Sequence, residues 1–170
     1  DNLQDVEVEW VIGDIRDDKV VTDSVQDVDL IFHYAAMISA PGSIDEPAFC
    51  YDVNVNGSLT VLWRAHLAGV QRVILASSAA VYGEHADPVS EGAELDPKSP
   101  YASSKIAMEG LAKMFTITYG LSTVCLRYFN IFGPRQSPDS PYAAAIPLFI
   151  QALHSKNAPL ILGDGLQTRD

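Results

Sequence analysis

Three side chains in this sequence have the types and spacing needed for proton transfer. Tyr101 and Lys105 are four positions apart, so on a helix a phenol and an ammonium would project from the same face. A nearby ammonium favours the phenolate, so we expect the pKa of Tyr101 to lie below its usual value of about 10. Such a phenol can act as a general base toward the hydroxyl of a sugar or alcohol. Ser78 would supply a hydroxyl that orients the same substrate oxygen.

Four apolar runs are predicted to be strands. The first alternates Val and Glu before a continuous Trp-Val-Ile. The others show little polar alternation, which is typical of strands covered on both faces of a parallel sheet. The runs lie at residues 6–12, 28–34, 72–76 and 123–128.

Helical stretches separate these runs. A long helix is predicted over residues 47–68, with Gly69 as its stop signal. A second is predicted over residues 100–119, where Ser99 and the following proline favour a helix start and Gly120 a helix end. A shorter helix is expected near residues 143–155. The alternation of strands and helices predicts an α/β fold with a doubly wound parallel sheet.

Small or polar residues follow each predicted strand. Ligands of open α/β sheets bind outside the carboxyl ends of the strands. The residues found there are Asp14, Ala35, Ala36, Ser77, Ser78 and the segment 128–130. Asp14 is equally typical of a turn, and the two alanines of close helix packing. His33 is interpreted as a core residue that satisfies a hydrogen bond.

The composition narrows the range of partners. The net charge is −11 and the basic residues are scattered, which argues against nucleic acid and anionic membrane surfaces. Cys50 and Cys125 lie in separate apolar segments, which indicates free thiols in a reducing compartment. No signal peptide or long apolar stretch is present, so a soluble cytoplasmic protein is expected. No group of His, Cys, Asp or Glu has metal-ligand spacing, so no metal is predicted.

Seven blocks, in order along the chain, resemble one enzyme superfamily. They are GDIRD (13–17), HYAA (33–36), NVNGS (54–58), SSAAVYG (77–83), SPY through the lysine (99–105), RYFN with FGPR (127–135), and GDG through TRD (163–170). On these blocks the chain resembles the extended short-chain dehydrogenase/reductases. Within that superfamily it resembles the NAD-dependent nucleotide-sugar epimerases, such as the 4-epimerases of UDP-glucose and UDP-N-acetylglucosamine.

The resemblance implies a Rossmann-like domain and a role for each matching residue. Tyr101 is implied as the catalytic base, Lys105 as its activator, and Ser78 as the hydroxyl partner that also contacts the substrate. The implied NAD-binding residues are Asp14, Ile15, Ala35, Ala36, Asn54, Tyr101, Lys105 and Tyr128. Asn130 and Arg169 are similar to the positions that grip the diphosphate of the sugar nucleotide.

Two departures from the family pattern refine this expectation. Dehydratases and decarboxylases of the superfamily carry acidic residues just after the catalytic hydroxyl, whereas this chain has Ala79 and Ala80. Dehydration therefore lacks its acid, and epimerisation fits best. The second departure is that the glycine-rich Gly-x-x-Gly-x-x-Gly loop, which cradles the pyrophosphate of the cofactor, is absent. The chain is thus interpreted as the central part of an epimerase, with residues 1–132 a partial, incomplete NAD-binding domain and 133–170 the beginning of a smaller substrate-binding region.

The expected function is epimerisation at C4 of a UDP-hexose, plain or N-acetylated, through a 4-keto sugar. The segment around Gln136, Tyr142 and residues 143–147 resembles members that act on N-acetylated hexosamines, whereas Ile38 and Gly42 do not. Two alternatives stay open: another nucleotide-sugar oxidoreductase of the superfamily, or a catalytically silent, truncated binding module. The resemblance also implies a homodimer through two long helices, at residues 53–68 and 101–119.

Overall fold

The structure is a computed structural model that describes residues 6–84, 88–134, 136, 145–161 and 163–166. Residues of the range Trp10–Tyr128 form one compact unit, and the described parts of 6–9 and 129–166 belong to a second. No helix in these ranges is both long and apolar enough to cross a membrane.

A parallel sheet forms the centre of the larger unit. Within the described ranges it has three strands, β1 (Leu30–His33), β2 (Arg72–Ser78) and β3 (Ser122–Tyr128), in that order. All pairs are parallel, and the register aligns Leu30 with Arg72 and Arg72 with Ser122. The predicted α/β parallel sheet is therefore confirmed, with strands at three of the four predicted positions.

The prediction of a strand at residues 6–12 is wrong for the structure described. This segment has no regular secondary structure, and Ile12 is 97% exposed. A strand needs a neighbour for its N–H and C=O groups, and no described segment forms a ladder with residues 6–12. The apolar pattern alone is therefore insufficient to make a strand here.

Six helices are described. They are α1 (Asp18–Ser24), α2 (Ala40–Asp45), α3 (Pro47–Tyr51), α4 (Ser58–Ala68), α5 (Pro100–Tyr119) and α6 (Ala145–His154). A π-helical segment, Asp52–Gly57, joins α3 to α4, so the predicted helix over residues 47–68 exists with a widened turn inside it. Helix α5 matches its prediction at both ends. Gly69 and Gly120 end α4 and α5 in the left-handed conformation, at φ of 75° and 73°.

The core lies between one face of the sheet and helices α4 and α5. Its buried members are Leu62, Ala65, Val70, Val73, Leu75, Met108, Ala112, Phe115 and Leu121. Side chains alternate along a strand, so Val73 and Leu75 face the helices. On the strands beside β2, residues such as Phe32 and Val124 are 56% and 38% exposed. The expected covering of both sheet faces is thus seen on one face among the described residues.

Candidate active site

The end of β2 and the start of α5 bring the three predicted catalytic residues together. Ser99 begins α5 by accepting a hydrogen bond from the backbone N–H of Ala102 (3.2 Å). This start places Tyr101 in the first turn of α5 and Lys105 one turn later. Ser78 is the last residue of β2, and its hydroxyl lies near enough to the phenol of Tyr101 to favour the phenolate.

Lys105 is a buried ammonium that is 3% exposed. Its Nζ donates to the backbone oxygen of Ala76 on β2 (2.9 Å) and lies 5.7 Å from the ring centroid of Tyr101. Among the described residues its other two N–H groups have no acceptor. Burial lowers the pKa of Lys105 to about 8, because an ammonium loses hydration inside the protein.

The expectation of a lowered pKa for Tyr101 is wrong for this structure. Burial raises the pKa of Tyr101, and the hydrogen bond with Ser78 only partly opposes that rise. The reason is geometric: the Lys105 ammonium points to the Ala76 carbonyl and makes no hydrogen bond to the phenol. In the chain alone, Tyr101 therefore lies beside Ser78 and is protonated at neutral pH.

The backbone of Tyr101 is held by buried polar side chains. Its N–H donates to Ser43 Oγ (3.0 Å), and its carbonyl accepts from Ser104 Oγ (2.7 Å). Asn54, on the π-helical segment, donates from Nδ2 to Ser104 Oγ (2.9 Å). The same amide pairs with the backbone of Met37, accepting from its N–H (2.8 Å) and donating to its carbonyl (3.0 Å). This network fastens the turn after β1 to the first turn of α5.

Asn54 itself is 1% exposed, with its amide engaged in the contacts just given. A direct contact with a cofactor stays a prediction. What the structure places at Asn54 is a link between the turn carrying Ala35 and Ala36 and the backbone of Tyr101.

His33 is buried, as interpreted from the sequence. Its Nε2 lies 2.8 Å from Ser58 Oγ, which itself donates to the Asn54 carbonyl (2.6 Å). Because that donation uses the Ser58 proton, Nε2 of His33 is the donor of the pair. Burial, and then the nearby charge of Lys105, lower the pKa of His33 to about 4, so the ring is neutral at pH 7.

Asp14 and Ile15, two of the predicted NAD-binding residues, lie on the turn before α1. Asp14 accepts from the backbone N–H of Arg16 (2.8 Å) and from its guanidinium, at 2.7 to 3.2 Å. These bonds lower the pKa of Asp14 to about 2. Arg16 also bonds Asp52 (2.8 Å). Ile15 packs against Gly57, where a Cβ would come within 2.6 Å of Ile15 Cδ1, so a larger residue there would require the Ile15 side chain to shift.

The other predicted cofactor residues lie at the ends of β1 and β3. Ala35 is exposed and Ala36 half-buried, directly after β1. Tyr128 ends β3, and its hydroxyl lies 3.0 Å from that of Tyr34. This contact joins the carboxyl ends of two strands that are not neighbours in the sheet.

Of the two residues predicted to bind the diphosphate, the structure describes one. Asn130 is exposed and belongs to the second compact unit. Arg169 lies outside the described residues, as do Tyr142 and the start of the predicted helix at residues 143–155.

Sequence reasoning missed an ion pair close to the site. Glu109 on α5 pairs with Arg127 on β3 (2.7 Å). The spacing could have indicated Glu109, because Tyr101, Lys105 and Glu109 are four positions apart and share one face of the helix.

Comparison with known protein families identifies the family of this chain. A family model described as "NAD dependent epimerase/dehydratase family" matches residues 1–170. The chain belongs to this family. NAD, predicted as the cofactor, is confirmed as the cofactor of the family, and the Rossmann-type classification is confirmed with it.

Relatives in the family include enzymes of more than one activity. A putative UDP-glucose 4-epimerase of Methanocaldococcus jannaschii is 37% identical over 95% of this chain and 54% of its own length. The UDP-N-acetylglucosamine 4-epimerase of Methanobrevibacter ruminantium M1, solved with UDP-N-acetylmuramic acid, is 43% identical. It superimposes with a TM-score of 0.88 over 94% of this chain and 52% of its own. DesIV, a dTDP-glucose 4,6-dehydratase of Streptomyces venezuelae solved with NAD, is 35% identical, with a TM-score of 0.84 over 99% of this chain and 52% of its own. The chain thus spans about half the length of these relatives.

Proposed function

We propose that the protein carrying this chain epimerises a UDP-hexose at C4 with NAD as its cofactor. The observation that carries the proposal is the grouping of Ser78, Tyr101 and Lys105, followed by Ala79 and Ala80 where a dehydratase would need an acid. The epimerases among the relatives support it, while the dehydratase relative makes the choice between the two reactions a matter for experiment.

The groups present fit a dinucleotide with a ribose at Lys105. The ammonium of Lys105 is buried and keeps two N–H groups without acceptors among the described residues, as a pair of ribose hydroxyls would require. Ala35 and Ala36, which follow Tyr34 after β1, present only methyl groups along this turn. Asp14 and Ile15 would hold the adenine end, and Tyr128 would flank the site. When bound, NAD supplies the oxidation and re-reduction of C4.

The residues of the chain would handle the proton. The Ser78 hydroxyl accepts from the Ala80 N–H (3.2 Å). Its single proton faces Tyr101 in the chain alone and would turn to the substrate oxygen when substrate binds between the two side chains. Tyr101 removes the proton of the 4-hydroxyl as C4 is oxidised and returns it when C4 is reduced on the other face. A second positive charge near Tyr101, as in the oxidised nicotinamide, would lower the pKa of the phenol from its raised value.

Dehydration is the competing reaction, and it needs an acid for the departing C6 hydroxyl. Residues 79–82 form a short 3-10 helix directly after Ser78, and Ala79 and Ala80 carry no proton donor. The nearby carboxylate of Glu109 is engaged by Ser77 and Arg127. The available side chains therefore favour simple oxidation and re-reduction.

The substrate is tested with UDP-glucose and UDP-N-acetylglucosamine in parallel. The NAD-loaded protein is expected to convert at least one into its C4 epimer, and Tyr101→Phe is expected to abolish conversion. Tyr119→Phe, on the same helix but far from the site, is the matched control and should retain activity. Formation of a 4-keto-6-deoxy sugar, or no conversion of either substrate, contradicts the proposal.

The 170 residues by themselves support a second candidate, a module with little NAD affinity. The specific observation is the absence of a Gly-x-x-Gly-x-x-Gly loop from the sequence. We expect calorimetric titration of the isolated chain to show very weak NAD binding. Stoichiometric NAD retained through purification contradicts that expectation.

The remaining proposals concern organisation. Residues 133–170 would begin the substrate-binding region. Asn130, just before it, and Arg169, within it, would grip the diphosphate. A homodimer would form through α4 and α5, which expose Trp63, Leu67 and Ile117. A cytoplasmic location is supported by the free thiols of the two cysteines. Sedimentation of the protein carrying Leu67→Glu, which should yield monomers, tests the dimer.

A further inference from the structure

The Glu109–Arg127 ion pair lies inside the larger unit and has no part in the proton transfer just described. The guanidinium donates from Nε and Nη2 to the two carboxylate oxygens, at 2.9 and 2.7 Å. The side chains are only 15% and 20% exposed. A two-point geometry of this kind fixes orientation as well as distance.

On one side the pair reaches the strand that carries Ser78. Ser77 Oγ donates to Glu109 Oε1 (2.5 Å). Ser77 is 4% exposed and shares the helix-covered face of β2 with Val73 and Leu75. The Ser77 contact therefore fixes the end of β2 one residue before Ser78, and it does so from the helix that carries Tyr101.

On the other side the pair reaches the segment that connects Ser78 to Tyr101. Arg127 Nη1 donates to the hydroxyl of Tyr82 (2.9 Å) and to the backbone oxygen of Glu91 (3.0 Å). The guanidinium also lies 4.8 Å from the centroid of the Tyr82 ring. One arginine thus holds the connecting segment at two points.

The charges of the pair are fixed at neutral pH. Burial alone would raise the pKa of Glu109, but hydrogen bonds from Arg127 and Ser77 outweigh it and lower the pKa. The hydrogen bond with Glu109, and after it the bond with Tyr82, raise the pKa of Arg127. The Glu109 carboxylate is therefore ionised at neutral pH.

We propose that Glu109 and Arg127 are positioning residues that hold Ser78 where its hydroxyl meets Tyr101. Each feature of the pair serves that placement: Ser77 fixes the strand end, Tyr82 and the Glu91 backbone fix the connecting segment, and Glu109 lies on the catalytic helix. The inference rests on the proposed roles of Ser78 and Tyr101. Its test therefore includes a measurement that needs no catalysis.

The first measurement is the titration of Tyr101 in the folded chain, followed by NMR of ring-labelled tyrosine. Tyr101→Phe identifies the resonance. Ser77→Ala removes one hydroxyl and leaves the ion pair in place, while Glu109→Gln removes the ion pair. Both should move the titration of Tyr101 to higher pH, because Ser78 would no longer be held in hydrogen-bonding position. Asp23→Asn, in the exposed Lys19–Asp23 pair of α1, is the matched control and should leave it unchanged.

The second measurement is steady-state kinetics of the NAD-loaded protein. Glu109→Gln should lower kcat roughly 10- to 100-fold with KM nearly unchanged, since misplaced reacting groups cost rate rather than ground-state binding. Arg127→Lys should also lower kcat although it keeps the charge. A compact ammonium has three donors and no planar fork, so it cannot replace the four bonds that Arg127 makes to the carboxylate, Tyr82 and the Glu91 carbonyl. Ser77→Ala should lower kcat by a smaller factor.

An unchanged Tyr101 titration in Ser77→Ala and Glu109→Gln overturns the proposal, as does an unchanged kcat in properly folded variants. Where Glu109→Gln does not fold, Ser77→Ala alone decides by the same two readouts. Failure of the proposed function looks different: the unsubstituted protein would lack epimerase activity, yet the Tyr101 titration would still respond to Ser77→Ala.

Discussion

Replacing Lys105 by methionine should make the protein more stable while abolishing catalysis. Lys105 is a buried ammonium that makes one hydrogen bond among the described residues, to Ala76. Its pKa falls from the ordinary 10.5 to about 8, which corresponds to roughly 3 kcal/mol of unfavourable free energy for holding the charge inside. Methionine has a similar shape and packs adaptably. Losing the hydrogen bond costs about 1 kcal/mol, so Lys105→Met should raise the free energy of unfolding at pH 7 by about 2 kcal/mol.

The pH dependence gives the same prediction a second form. Between pH 8 and 10.5, Lys105 is protonated in the unfolded chain and largely neutral in the folded one. The unfolded state then binds more protons, so the stability contributed by this site rises with pH across that window. The advantage of Lys105→Met should therefore shrink as the pH is raised from 7 toward 10.5.

The assay is urea unfolding at pH 7 and at pH 10, with Lys113→Met as the matched control. Lys113 is exposed and on the same helix, so its replacement should change stability by less than about 0.5 kcal/mol. A Lys105→Met protein that is less stable than the unsubstituted one at pH 7 refutes the reasoning. A stability difference that does not vary with pH refutes it as well.

Three further predictions follow from the described contacts. Ser78→Ala should lower kcat roughly 100-fold and move the titration of Tyr101 to higher pH; an unaltered kcat in steady-state assays would exclude the hydroxyl from the reaction. His33, neutral in the folded chain with its pKa near 4, should make stability fall as pH drops from 6.5 toward 4, because the unfolded state binds the proton first. Calorimetry of His33→Gln should show a flatter dependence, and an identical acid profile contradicts this. Asn54→Ala should cost about 2 to 4 kcal/mol, since it strands the buried backbone groups of Met37; a loss below about 1 kcal/mol in urea unfolding argues that water replaces the amide.

Local signals in the sequence were enough to predict the elements that carry the site. Helix α5 has a capping serine, a proline in its first turn and a glycine after its last residue, and each acts within a few residues of itself. The apolar runs of β2 and β3 likewise predicted strands, and these two strands pair with each other in the sheet. At residues 6–12 a run of five apolar residues and two glutamates forms no strand among the described residues. A ladder depends on a neighbouring strand that the pattern does not specify.

Properties that depend on three-dimensional contacts were beyond the sequence pattern. The spacing of Tyr101 and Lys105 predicts that they share a helix face, but whether the ammonium meets the phenol depends on the Ala76 carbonyl, which competes for it. Asn54 matches a motif position, yet its burial against Met37 only emerges from the fold. Glu109 and Arg127 are 18 positions apart and on different elements, so no local rule pairs them.

The most direct test of the proposed function is a reaction with a UDP-hexose that carries deuterium at C4. The NAD-loaded protein should yield the C4 epimer with deuterium still at C4 and with no net reduction of NAD. The Tyr101→Phe variant should form no epimer. Loss of deuterium to solvent, net accumulation of NADH, or a 6-deoxy product would contradict C4 epimerisation at the Ser78–Tyr101–Lys105 site.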